Sequence, residues 1–170
     1  METAAPDDDV VRAGAAGLSG LAYWASGELD DAYRLYEVCI AGLLRGGHWS
    51  DALGCYLTLA EIVSVQGRLS AAADIYAEAW GRATAAGTRR GAADVRVGIA
   101  EIALERGDLD AARENLEAAR TLGEPLGLPR YAGRSRAVAA LLAEAQGDLT
   151  GALDLLAEAQ QVNLGDFSPD

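Results

Sequence analysis

His48, in the stretch GGHWS, is the only histidine of the 170-residue chain. Acyl-transfer chemistry of the serine, histidine and acid type needs a base held against a nucleophile on a strained turn. No serine here offers one, because GLSG at residues 17–20 lacks both the residue pattern and the preceding strand of a nucleophile elbow. A lone loop histidine is expected to be solvated. The two cysteines, Cys39 and Cys55, match no zinc-ligand spacing and make no disulfide framework, so they are read as small buried side chains in a reducing compartment. A phosphate-binding loop of the G-x-x-x-x-G-K-[ST] type needs a lysine, and the chain contains none. Glu61 and Glu101 could share acid and base duties, but they stand forty residues apart, a spacing at which a repeat would align them without catalysis. These residues predict a non-enzyme with no catalytic residue, no metal ligand and no cofactor.

The composition narrows the partners. A formal charge of -12 and a pI of about 4.4 repel phosphate backbones and anionic lipid heads, which argues against direct binding of nucleic acid or membrane. The apolar fraction of 51% belongs to a globular chain. No apolar run approaches a membrane span, and METAAPDDD is acidic where a secretory leader would be basic. A cytoplasmic location is expected.

The elements that must position any site are written as a repeated word. GELDDAYRL, GRLSAAADI, GDLDAAREN and GDLTGALDL begin at Gly27, Gly67, Gly107 and Gly147, forty residues apart. Repetition at this interval marks stacked helical units, each with an apolar face that only a neighbour can cover. The glycines suit the left-handed position that ends a helix, and Leu29, Leu69, Leu109 and Leu149 suit a plug for the turn. Asp30, Ser70, Asp110 and Thr150 are read as N-caps of the next helix. Ala32, Ala72, Ala112 and Ala152 are small at every repeat, as close helix packing requires. A second column, Gly47, Gly87 and Gly127, closes the following helix. First helices are expected near 9–25, 50–65, 90–105 and 130–145, and second helices near 30–45, 70–86, 110–122 and 150–162. The termini, 1–6 and 164–170, are expected to fray.

The column of Gly, then Ala, then Tyr or Leu, then Ala resembles the second half of a tetratricopeptide repeat (TPR). Phrases such as LAEAQGDLTGALDLLAEA resemble the longer repeats in the arm of MalT-like and LuxR-type bacterial transcriptional regulators. The resemblance implies an all-α fold, an α-solenoid of four TPR-like helical hairpins with a 40-residue period. It implies a single TPR-like domain over residues 1–170, with repeats near 9–47, 48–87, 88–127 and 128–163. Such an arm senses an inducer or an inhibitory protein between an ATP-binding module and a helix-turn-helix. The chain is then either an excised arm or a small stand-alone protein of the same build.

In tetratricopeptide stacks the first helices line the concave face. Projecting the family's groove onto this chain gives Leu21 and Trp24, then Leu57, Glu61 and Ser64, then Asp94, Val97, Glu101 and Leu104, then Arg134, Leu141 and Glu144. An apolar strip with a row of carboxylates fits a protein or peptide carrying apolar and basic groups; the same residues are also compatible with ordinary solvated acids over an inter-repeat core. The expected function is a non-enzymatic protein- or peptide-binding regulatory or adaptor module acting through the concave face of a TPR-like superhelix. The alternative is a small-molecule inducer-sensing arm of a MalT-like or LuxR-type regulator. The lysine and asparagine by which some relatives clamp a carboxylate terminus are missing from these positions. A secondary anion site near Arg89, Arg90, Arg130 and Arg134, partner contacts at Trp49 and Trp80, and a homo-oligomer through a terminal repeat complete the expectations.

Overall fold

The computed structural model describes residues 6–127 and 129–165. Among them lie eight α-helices in four hairpins: α1 (Pro6–Ser26) with α2 (Leu29–Arg45), α3 (Trp49–Val65) with α4 (Leu69–Ala85), α5 (Arg89–Glu105) with α6 (Leu109–Gly123), and α7 (Pro129–Ala145) with α8 (Leu149–Gly165). The chain, expected as one domain, divides into two compact units, residues 1–82 and 83–170, the last turn of α4 lying beyond the division. The expected frayed ends fall largely on residues 1–5 and 166–170, outside the described residues, whereas Pro6 begins α1 and residues 164–165 end α8.

Each helix ends for a local reason. Gly107 has φ 74°; its N–H donates to the Leu104 carbonyl at 2.9 Å, and the Asp108 N–H donates to the Ala103 carbonyl at 2.9 Å. This pair of reversed bonds is the Schellman closure, which needs a left-handed residue that glycine adopts without strain. The same pair recurs at Gly27, Gly47, Gly67, Gly87 and Gly147, so the two glycine columns together turn the chain every twenty residues. After α6 the exit differs: Pro125 supplies no N–H to continue the helix, and a 3-10 turn, Glu124–Leu126, carries the chain to Gly127 at φ 59°.

The N-caps are not where the word suggested. Asp108 and Asp148, between the glycine and the leucine, accept from the N–H groups of Ala111 at 3.0 Å and Gly151 at 2.9 Å. The leucine is already helical, which places Asp30, Ser70, Asp110 and Thr150 inside the first turn. Asp110 bonds Arg113 and Asp30 accepts from Gln66 instead.

Packing follows the small column. Ala32, Ala72 and Ala112 are fully buried and Ala152 nearly so. In the second unit Ala112, Leu116 and Ala119 of α6 share a core with Ala93, Val97 and Ala100 of α5 and with Tyr131, Val138 and Leu142 of α7. In the first unit Ala13 and Ala16 from α1, Cys39 and Leu43 from α2, and Ala52 from α3 share a core. Cys39 and Cys55 meet there, Sγ to Sγ 3.4 Å, and both are free thiols. Burial, with Cys39 alongside, pushes the Cys55 thiol up to about 12; a thiol that stays protonated is unreactive.

Two substitutions separate the backbone from the packing. Gly107→Ala meets no atom within 4 Å of the added carbon, so its cost is the left-handed backbone alone, roughly 1–2 kcal/mol. Ala112→Leu forces a larger side chain into a filled crossing and is expected to cost about 1–3 kcal/mol. Urea unfolding followed by circular dichroism reads both as lower midpoints.

Candidate functional site

In the first unit α1 and α3 carry the projected strip. Leu21 is 51% exposed, while Trp24, Leu57, Glu61 and Ser64 are half-buried. The Ser64 hydroxyl donates to the Ala60 carbonyl of its own helix at 2.9 Å, so it offers a partner an acceptor rather than a donor.

In the second unit the strip lies on α5 and α7. Arg134 grips Glu101 with two bonds, Nε to Oε1 at 3.3 Å and Nη2 to Oε2 at 2.7 Å. The side chains are only 22% and 32% exposed. This fork-to-carboxylate pair is the strong form of ionic hydrogen bond, and it ties α5 to α7. Leu141 is 52% exposed, Leu104 half-buried against the core, Asp94 half-buried and Glu144 exposed. Val97 is a correction. It is fully buried in the core with Leu116 and Val138, on the side of α5 that meets its neighbouring helices, and it displays nothing to a partner.

The other expected chemistry disperses. Glu101 has an arginine partner rather than a second carboxylate, and Glu61 belongs to the other unit. His48 is exposed, with Nδ1 3.5 Å from Asp51. Arg134 is committed to Glu101, which removes it from the expected anion site; the side chains of Arg90 and Arg130 lie outside the described residues. Trp49 and Trp80 are half-buried. Among the described residues no group of three or more His, Cys, Asp or Glu is placed to hold a metal ion. No helix among them is long and apolar enough to cross a membrane.

The structure adds a feature that consensus reading missed. A hollow of about 470 Å³ opens in the second unit between α6, α7 and α8, lined among others by Arg120, Tyr131, Ser135, Arg136, Ala139 and Leu155. Comparison with the first unit explains it. Tyr56 of α3 donates to Glu78 of α4 at 2.6 Å, and Arg82 bonds the same carboxylate oxygen at 3.0 and 2.8 Å. Burial, with Glu78 beside it, lifts the Tyr56 phenol to about 12. Eighty residues later Arg136 and Glu158 make the equivalent bridge between α7 and α8, at 3.0 Å. Leu59, buried in the first unit, becomes Ala139, and the space stays open. Leu43 becomes Gly123, and the Tyr131 ring occupies the place where a Cβ would stand. The Tyr131 hydroxyl is buried without a hydrogen-bond partner, although Ser135 stands beside it. The signal was in the sequence, as a departure from the columns rather than an agreement with them.

The profile of the family described as the MalT-like TPR region matches residues 2–168. No curated protein matches the chain. The crystal structure of BtubC (BKLC) from P. vanneervenii is similar in fold, with a TM-score of 0.72 and 18% sequence identity, covering 100% of this chain and 70% of that one. The profile match over nearly the whole chain, on four helical hairpins closed by the glycine columns, makes this protein a member of the MalT-like TPR region family and a helical-repeat scaffold.

Proposed function

We propose that the chain is a protein- or peptide-binding adaptor that works through the first-helix faces of its units. The carrying observation is the α5–α7 surface: exposed Leu141 and half-buried Leu104 stand among Asp94, Glu144 and the Glu101–Arg134 pair. Apolar side chains that remain accessible on a repeat protein supply anchor contacts. The excess of carboxylate over guanidinium selects a basic companion group and rejects acidic segments. In the first unit Leu21, Trp24 and Leu57 around Glu61 offer the same chemistry. An amphipathic peptide with arginine or lysine beside leucine or phenylalanine fits both surfaces.

The hollow in the second unit favours a second reading, a small-molecule sensor. Its volume falls within the roughly 300–1,000 Å³ of small-ligand pockets. Arg120 and Arg136 face Glu124 and Glu158 around it, so the four lining charges sum to zero. The occupant this suits is an uncharged molecule with an apolar body and one acceptor oxygen for the Ser135 or Arg136 donors.

Selection of short peptides from a random display library tests the first reading. Retained sequences are expected to pair basic with apolar residues, to bind more weakly as salt is raised, and to lose at least about tenfold, or 1.4 kcal/mol, on Leu104→Arg with Leu141→Arg. Acidic selected peptides, or retention unchanged in the double variant, would overturn it. For the second reading, Ala139→Leu restores the side chain of the second repeat. It is expected to raise the thermal midpoint, by the ~0.5–2 kcal/mol typical of cavity filling. It should also erase any stabilisation that a panel of small neutral ketones and amides gives the unaltered chain.

A further inference from the structure

The columns leave two apolar stripes uncovered, and each matches the other. In α8, Leu149, Leu153 and Leu156 follow one another at helical spacing and stand 62%, 67% and 48% exposed. The column of Leu156 is closed in the earlier hairpins, where Tyr36, Tyr76 and Leu116 are all buried, and that of Leu149 is half-buried there at Leu29, Leu69 and Leu109. Inside the second unit the covering is visible: Leu116 of α6 shares its core with Tyr131 and Val138 of α7, a first helix lying on the second helix before it.

The places held by Tyr131 and Val138 in α7 are held in α1 by Val11 and Leu18. Those two are 72% and 73% exposed, and Ala15 and Ala22 continue the stripe on the same side, also exposed. At the positions matching Ala15 and Ala22 the other first helices bury Ile62, Val95, Ile102 and Leu142. Among the described residues the Val11 and Leu18 stripe of α1 and the Leu149 and Leu156 stripe of α8 thus stand open.

We infer that α8 of one copy of this chain docks on α1 of another, reproducing between copies the α6–α7 contact that exists within one. The occupant is a second copy because the missing half of each interface is present in the same sequence: Leu149 and Leu156 stand where α6 has Leu109 and Leu116, and Val11 and Leu18 where α7 has Tyr131 and Val138. The contact is heterologous, joining different surfaces of the two copies, so assembly continues past the dimer unless a ring closes. The drive is burial of leucine and valine. The charge of -12 opposes approach of two copies, and added salt screens that opposition. Association therefore strengthens with ionic strength, the reverse of the salt response expected for the peptide surface, and the inference does not rest on that surface.

Sedimentation and light scattering across a wide concentration range, in low and high salt, test it. The intact chain is expected to gain mass with concentration beyond a dimer. Leu18→Arg and Leu156→Arg are each expected to be monomeric, with unchanged helical circular dichroism because both side chains stand exposed. Mixed in equal amounts, the two variants should form a one-to-one dimer that grows no further, since Leu18→Arg keeps a good α8 and Leu156→Arg a good α1. A monomeric intact chain, self-association of either variant alone, or no dimer on mixing the two folded variants would overturn the inference.

Discussion

A left-handed residue at every twentieth position is the constraint on which the other contacts depend. Six of the seven glycines at φ between 59° and 84° close a helix with the same two reversed hydrogen bonds. Because the turn has a fixed length, helices of like length follow with the same rotation, and a residue type in one hairpin meets its counterpart's neighbours in the next. An alanine column can form only under that condition. Once it forms, the helices of a hairpin approach closely, and Tyr36, Tyr76 and Leu116 fill what the alanines leave.

Within this frame the cations act as cross-links. All fourteen basic residues are arginine, whose planar fork can hold a carboxylate with two bonds. Arg45 reaches Asp9 from α2 to α1, Arg82 holds Glu78 on α4, Arg134 holds Glu101, and Arg136 holds Glu158. Most of these pairs are exposed, where screening leaves each worth little. Arg134 with Glu101 is the more sheltered, and it fixes the spacing of α5 and α7 beneath Leu141. That pair turns a row of acids into a patterned surface rather than a uniformly repulsive one.

The helices were legible in the sequence because glycine at a left-handed turn has few substitutes, so Gly27, Gly47 and their successors mark boundaries that the structure repeats to within a few residues. The caps were not, since an aspartate three residues after the glycine looks equivalent to one directly after it until the leucine between them is known to be helical. Val97 was misplaced for a related reason: on a helix covered from two sides, helical spacing alone cannot say which flank of the stripe stays open. The Arg134–Glu101 bond depends on how α5 and α7 approach one another, which no local pattern encodes.

Departures from the columns carry a different kind of information. A repeat explains every residue that agrees with it, so agreement is weak evidence of a role. Leu59 giving way to Ala139, and Leu43 to Gly123 with Tyr131 turned into the gap, are changes that stacking does not require. The same reasoning separates the two ends of the register. Leucine stands at 149 and 156 although these positions are exposed, where a polar residue would satisfy the helix equally well. A solvated face gives no physical reason for that stripe; a face that another first helix covers does.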